Sequence, residues 1–155
     1  MKNLNKLSCL LLTLVALLSS CGQKSAELEY IPFRSSSDGR WGMISTDGKV
    51  LFDAEFNDMP QAAYCGRFFI ENNDGKYELY TADAKPQQVG EKKWVDVSDF
   101  SGGLALAAEE GKPVTIINRD GEQVADLSKI DGKTIIAAQG LYEGYAIVET
   151  EDGTK

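Results

Sequence analysis

Histidine is absent from this chain of 155 residues, and proline and cysteine are scarce, with four and three residues respectively. Without an imidazole, the chain cannot form a Ser-His-Asp or Cys-His catalytic site or the commonest zinc sites. It also has no glycine-rich loop of the kind that holds a phosphate. We therefore predict a non-enzymatic protein with no catalytic residues, no metal site and no cofactor.

Basic charge and long apolar runs are also scarce. The formal net charge is −8 and the pI is near 4.6, so the surface repels the phosphates of nucleic acids. The apolar run Leu10–Leu18 has nine residues and is interrupted by Thr13, whereas a membrane-spanning helix needs about 20. The composition predicts an acidic soluble domain that does not bind nucleic acid and that favours a basic partner.

The first 20 residues have the organisation of a secretory signal peptide. Lys2 and Lys6 form a basic start, and the apolar run that follows has the length of a secretory core. The run ends in Leu18-Ser19-Ser20-Cys21, which resembles a lipobox, the cleavage site of lipoprotein signal peptidase. The resemblance implies that residues 1–20 form a signal-peptide helix that is removed and that Cys21 is acylated. An ordinary signal peptide followed by a chance cysteine is the alternative.

This interpretation predicts a protein in the cell envelope, lipid-anchored to a bacterial membrane on its periplasmic or surface face. Residues 21–28 would form the lipidated tether and residues 29–155 the folded domain. Because Cys9 would leave with the signal peptide, Cys65 would be the one free thiol and no intramolecular disulfide could form. We predict that Cys65 is a small buried hydrophobic residue, with a reactive thiol as the alternative.

Acid–glycine pairs punctuate the domain at regular spacing. They are Asp38-Gly39, Asp74-Gly75, Glu110-Gly111 and Asp152-Gly153, and their glycines are 36, 36 and 42 residues apart. A fixed period of this length is typical of repeat architectures. The spacing predicts units at about 39–74, 75–110 and 111–152 and the start of a further unit at 153. The extra residues of the third unit are expected in a turn at Lys129–Lys133.

Short apolar runs separated by glycine turns predict β-strands throughout the units. Asp47-Gly48 and Asp120-Gly121 each lie between two such runs, which predicts hairpins with type I′ turns. A further apolar run precedes each later acid–glycine pair, at Phe68–Ile70, Leu104–Ala107 and Tyr145–Val148. We predict an all-β domain of antiparallel β-meander repeats, with three or four strands per unit and no long helix after the signal peptide.

Two segments resemble the WG-repeat family. Arg40–Val50, with the sequence RWGMISTDGKV, is similar to the opening of that repeat, and Phe100–Ala105, with the sequence FSGGLA, is similar to its later part. The resemblance extends over residues 29–155 and implies an all-β, propeller-like array of small sheets. Only the first unit has the Trp-Gly pair, because Tyr77-Glu78 and Pro113-Val114 replace it in the second and third. This loss indicates a packing role for the pair rather than a role in binding.

The number of units bears on how the array ends. Propellers close with four to eight blades, so three units are too few to form a ring. We expect a partial or open array, either continued in a longer chain or left with a free strand edge. A free edge is an aggregation hazard unless another chain pairs with it, so self-association through that edge is a further expectation.

Aromatic residues recur through the units and are the candidate ligand contacts. Most are expected to pack within the sheets, and we select Trp94, Tyr80 and Tyr142 as the ligand-binding candidates. Trp94 is of particular interest because two lysines precede it in the sequence, which favours exposure. Asp96 and Asp99 are the alternative, a carboxylate pair that a hydrolase could use, although acids at such turns are more often solvated.

The repeat array and the missing catalytic groups favour a membrane-anchored binding or scaffold module whose partner is a protein or a glycan. Two alternatives stay open. One is a carboxylate-based hydrolase whose site is completed by further repeats, and the other is a purely structural component of the envelope. Aromatic side chains clustered on an exposed face would favour binding, whereas a deep acidic cleft containing Asp96 and Asp99 would favour the hydrolase.

Overall fold

The computed structural model describes residues 27–142 and 145–153 of the chain. The predicted signal-peptide helix, Cys21 and most of the tether lie outside these residues. The described residues contain no helix, and so none that is long and apolar enough to cross a membrane. Their strand pairs are all antiparallel, which confirms the all-β prediction.

The strands follow the apolar runs of the sequence. In chain order they are β1 (Leu28–Phe33), β2 (Trp41–Ser45), β3 (Val50–Phe56), β4 (Ala63–Tyr64), β5 (Arg67–Glu71), β6 (Tyr77–Thr81), β7 (Asp96–Val97), β8 (Leu104–Ala108), β9 (Val114–Asn118), β10 (Gln123–Asp126), β11 (Lys129–Ile130), β12 (Lys133–Tyr142) and β13 (Tyr145–Thr150). Strands β5, β8 and β13 coincide with the three runs that precede the acid–glycine pairs, as predicted.

These strands form three sheets. The first has six strands in the order β3-β2-β1-β4-β5-β6 and curls into a half-barrel. The second has the order β10-β9-β8-β7 and the third the order β11-β12-β13, so both are simple meanders. The first sheet departs from a meander at β1, which pairs with both β2 and β4. The observed architecture is therefore an array of small antiparallel sheets.

Two hydrophobic cores hold the first two sheets. The first core consists of Met43, Phe52, Ala63, Phe68 and Ile70. The second core consists of Phe69, Leu79, Trp94, Phe100, Ala105, Ala107 and Ile117, and it joins the six-stranded sheet to the four-stranded sheet. Strand β5 contributes to both cores because successive side chains of a strand point to opposite faces of the sheet. Phe68 and Ile70 enter the first core, whereas Phe69 enters the second.

The hairpin turns at Gly48 and Gly121 differ from the predicted type I′ geometry. In each turn only the glycine has a positive φ, 86° and 72° respectively, whereas a type I′ turn needs two such residues. The glycine N–H donates to the backbone carbonyl three residues earlier, at Ser45 and Asn118. The side-chain oxygen of Asn118 also accepts from two backbone N–H groups of its own loop, at 2.9 and 3.0 Å. These bonds stabilise a longer, three-residue loop, so the type I′ prediction is wrong here.

Two positive φ values in succession occur instead at two-residue turns elsewhere. Cys65-Gly66 has φ of 54° and 72°, and Asp131-Gly132 has φ of 50° and 79°. The second of these lies inside Lys129–Lys133, where the sequence predicts a turn. The prediction that Cys65 is a buried hydrophobic residue holds in part. Cys65 packs against the second core but is only half-buried, because it lies in a tight turn with its backbone in the left-handed region.

Candidate functional site

A cleft of about 760 Å³ lies between the four-stranded sheet and the last hairpin. Strands β7 and β8 line it on one side and β12 lines it on the other. Tyr64 on β4 of the first sheet and Gln61, just before β4, also contribute. The cleft therefore receives side chains from all three sheets. A surface built in this way belongs to the folded array and to no single unit.

The apolar part of the cleft comes from the outward-facing side chain of β8 and from β12. Ala105 and Ala107 turn into the second core, so Leu106 between them faces the opposite way and lines the cleft. On β12, a register shift lies between Gln139 and Leu141, with Gly140 at a φ of 54°. This β-bulge changes the direction in which the side chains of β12 point. Gln139 and Leu141, the two neighbours of the glycine, both line the cleft.

The polar part of the cleft comes from the segment between β7 and β8. Ser98 fixes this segment to β8, because its hydroxyl accepts from the Leu106 N–H at 2.9 Å and its own N–H donates to the Leu106 carbonyl at 3.0 Å. Asp96 and Asp99, on either side of Ser98, both line the cleft. The two carboxylates named as a candidate pair therefore share one concave surface.

Negative charge is poorly compensated in the cleft. The described residues that line it include neither lysine nor arginine. Asp99 keeps part of its surface exposed, yet the protein around its carboxyl group displaces enough water to raise the pKa of that group. Burial also raises the pKa of the Tyr64 hydroxyl, and the charge of Asp99 raises it further. A cation bound here would relieve the unfavourable environment of the Asp99 carboxylate.

The three predicted ligand-binding residues are not brought together. Tyr142 lines the cleft and is 67% exposed. Tyr80 packs against the first core, where its ring stacks on Phe68 with 5.7 Å between centroids. Trp94 is only 1% exposed and meets Phe69 edge-on at 5.8 Å. A ligand has no access to Trp94 in this structure, so Tyr142 is the one of the three that remains a candidate contact.

The polar residues beside Trp94 have structural partners. Lys93 forms an ion pair with Glu78 at 2.7 Å, and Glu78 also accepts from the side-chain amide of Asn72 at 3.0 Å. The Lys93 interaction is the main cause of the lowered pKa of Glu78. The two lysines before Trp94 were the reason to expect an exposed side chain. They lie instead beside a ring that is buried.

Sequence reasoning missed Tyr64 and Gln139 as cleft residues. Neither stands in a motif, and each comes from a different sheet from the two acids. The one available signal was Gly140, a glycine within a strand pattern, which often marks a bulge beside a site. Among the described residues, no group of three or more Cys, Asp or Glu side chains could hold a metal ion.

Comparison with known proteins gives one match. A family described as the WG containing repeat matches residues 41–77, which begin at β2 and end at the first residue of β6. The match places a WG repeat in this part of the chain, where the Trp-Gly pair stands. No curated protein and no solved structure matches the chain.

Proposed function

We propose that this chain is an extracytoplasmic, lipid-anchored module that binds a partner protein in the cleft between its second and third sheets. The observation that carries the proposal is the cleft itself, which is large enough for several side chains and combines acidic, amide, aromatic and apolar groups. The WG repeat at residues 41–77 is compatible with a binding or scaffold role.

The chemistry of the cleft favours a basic segment with apolar neighbours. Arginine or lysine of the partner would form charge-assisted hydrogen bonds with Asp96 and Asp99. The ring of Tyr142 offers a face for a cation or an aliphatic chain. The half-buried side chains of Val97, Val114 and Ala138 would receive the partner's hydrophobic residues. The net charge of −8 would speed the approach of such a partner.

We expect Asp99→Asn to weaken the binding of a basic peptide at least tenfold. A hydrogen bond to a charged group contributes about 1.5–3 kcal/mol, and about 1.4 kcal/mol corresponds to tenfold in affinity. Tyr142→Ala should weaken binding about two- to fivefold, as expected for loss of an exposed cation–π contact. The measurement is fluorescence anisotropy with a labelled hexapeptide of alternating arginine and leucine.

The control is Asp58→Asn, which removes the same charge from an exposed acid outside the cleft. If this variant weakens binding as much as Asp99→Asn does, the peptide is held by overall charge and the cleft proposal fails. Titration with a neutral tetramer of N-acetylglucosamine tests a glycan partner. Binding of the sugar, weakened by Tyr142→Ala and without binding of the peptide, would replace the protein partner with a glycan.

A carboxylate-based hydrolase is the second candidate, because Asp96 and Asp99 share the cleft and the pKa of Asp99 is raised. A carboxyl group with a raised pKa is what a general acid needs. The hydrolase would cleave the N-acetylglucosamine tetramer, and Asp99→Asn would stop turnover while leaving sugar binding in place. Binding without any cleavage over a long incubation would exclude this reaction on that substrate.

The membrane anchor is supported by Leu18-Ser19-Ser20-Cys21 after a short apolar run. We expect Cys21→Ser to move the protein from the membrane fraction to the soluble fraction or to leave it as uncleaved precursor, since the acylated thiol is lost. Fractionation of expressing bacteria and mass spectrometry of the product measure both results. An unchanged membrane fraction with a mass lacking lipid in the wild type would contradict the anchor. Cys65→Ser is the matched control and should change neither.

A further inference from the structure

Strands β5, β8 and β13 occupy the same place in successive units. Each of these strands is followed by a turn in which a backbone N–H donates to the carbonyl of Asn72, Glu109 or Thr150. Phe69, Leu106 and Ile147 each lie three residues before that carbonyl and are therefore equivalent. The Phe69 carbonyl accepts from the Gln61 N–H at 2.8 Å, and the Leu106 carbonyl accepts from the Ser98 N–H at 3.0 Å. Ile147 is the cross-strand partner of Gln139 on the preceding strand. Phe69 packs in the core shared with the second sheet and Leu106 faces the cleft toward the third sheet, so both point toward the next unit. The equivalent position of Ile147 places its side chain on the same face of the last described unit.

The exposure of these three side chains differs sharply. Phe69 is 1% exposed and Leu106 is 4% exposed, whereas Ile147 is 66% exposed. Tyr145, two residues earlier on the same face of β13, is exposed as well. We call Tyr145 and Ile147 the tail face. Among the described residues, no later unit covers this face.

The first unit carries the matching half of the same contact. Phe69 is covered by Ala105 and Ile117, a cross-strand pair of β8 and β9 in the second core. Ile117 directly precedes the turn residue Asn118, whose carbonyl accepts from the glycine N–H of its turn. Ile44 directly precedes the equivalent turn residue Ser45.

The cross-strand partners of Ile44 identify the other residues of the row that is equivalent to Ala105–Ile117. Ile44 pairs across the strands with Ile31 on β1 and with Val50 on β3. This row is equivalent to the Ala105–Ile117 row that covers Phe69, yet Ile31 and Val50 are both exposed. We call Ile31, Ile44 and Val50 the head face. The described residues thus display, on two separate faces, the two halves of a contact that is closed between the first two sheets.

We propose that the tail face binds the head face of a second copy of this chain. The new interface would repeat the contact between Phe69 and the Ala105–Ile117 row, with Ile147 in the place of Phe69. Such a head-to-tail contact is heterologous, so it adds copies into an open chain unless rotation closes a ring. Each copy carries a net charge of −8, so association should strengthen as added salt screens repulsion. The proposed interface does not include the carboxylates of the cleft, so its test is independent of the test of the proposed function.

The test is sedimentation velocity of the full chain in detergent, with micelles in excess over protein and protein concentration as the variable. The wild type is expected to give a series of species that grows with concentration and with salt. Ile147→Glu should remain a single copy because it removes the tail face. Val50→Glu should do the same because it removes the head face. The matched control is Val124→Glu, since Val124 is 53% exposed against 55% for Val50 and lies in neither face.

Mixing the two end variants gives the decisive result. Ile147→Glu retains an intact head face and Val50→Glu an intact tail face, so an equimolar mixture should form dimers and nothing larger. Circular dichroism of each variant checks that it is folded. A wild type that stays a single copy at every concentration overturns the proposal. Self-association that Ile147→Glu abolishes and Val50→Glu leaves intact also overturns it, in favour of a tail-to-tail pair.

Discussion

Trp94→Ala is expected to lower the free energy of unfolding by about 3–5 kcal/mol. The indole is 1% exposed and lies edge-on to Phe69, at the centre of the core that joins two sheets. Its backbone also bridges to Tyr77 through two hydrogen bonds of 2.7 and 3.1 Å, so the chain is held in place and cannot collapse onto the void. A cavity that the surroundings cannot fill gives the upper part of the expected range.

Urea denaturation followed by far-UV circular dichroism measures this effect, since the loss of an indole would confuse a fluorescence signal. Tyr142→Ala is the control, because this large aromatic side chain is mostly exposed and its removal should change stability by no more than about 0.5 kcal/mol. Equal losses in the two variants would show that Trp94 is not a core residue in solution. That result would also restore Trp94 as a candidate ligand contact.

Gly42→Ala is expected to cost about 3 kcal/mol, the upper end for overpacking by a single methyl group. A Cβ atom at this position would lie 2.4 Å from the Phe52 carbonyl oxygen and 2.9 Å from the Asp53 Cα. Both atoms belong to the backbone of the neighbouring strand β3, so neither can rotate away. The added methyl group would push β2 and β3 apart. The first core would then pack less closely around Met43 and Phe52.

Gly39→Ala provides the comparison for this variant. Its added Cβ would meet the Ser36 hydroxyl oxygen at 2.8 Å, and that side chain can change rotamer. We expect a loss below about 1 kcal/mol there, within the range of ordinary surface substitutions. Midpoints of urea denaturation compare the two variants directly. Similar midpoints would mean that β3 can move away from β2 without cost, which would contradict the close approach at Gly42.

The close approach at Gly42 also explains part of the Trp-Gly pattern. The sequence predicted that Pro113-Val114 stands at the position of Trp41-Gly42 in the third unit. The strand register shows that Val114-Thr115 does, because Ala108 pairs with Val114 and Ala107 with Thr115. The pair is therefore a local packing solution of the first unit. The Arg34 guanidinium lies over the Trp41 ring, 4.7 Å from its centroid, and occupies the face that a ligand would need.

Much of the fold was predictable from the sequence because its signals are local. Alternating apolar residues and the glycines of tight turns placed β5, β8 and β13 correctly. The turn geometry at Gly48 and Gly121 was not predicted, since the carbonyl and side chain that decide it come from the residue three positions earlier. A rule based on the Asp-Gly dipeptide alone does not include that residue.

The cleft was less predictable, because it forms only when β12 packs beside β8, more than twenty residues earlier in the chain. Asp96 and Asp99 were recognised as a pair, and Tyr142 as a candidate ligand contact, but nothing local indicated that they share a surface. Trp94 was misjudged because its lysine neighbours resemble an exposed segment. Their partners are distant in the sequence: Glu78 on β6 for Lys93, and the Gly121 carbonyl in the turn between β9 and β10 for Lys92.

The two-sided burial of β5 has a consequence for how the molecule opens. Phe68 and Phe69 are neighbours in the chain and belong to different cores, so neither core can unfold without disturbing the other. The first two sheets therefore unfold as one cooperative block. The hairpin of β12 and β13 gives no residue to either core. It can detach in a local, sub-global fluctuation while the block stays intact. That hairpin is one wall of the cleft, so the least cooperative part of the domain is the wall whose movement would widen the cleft.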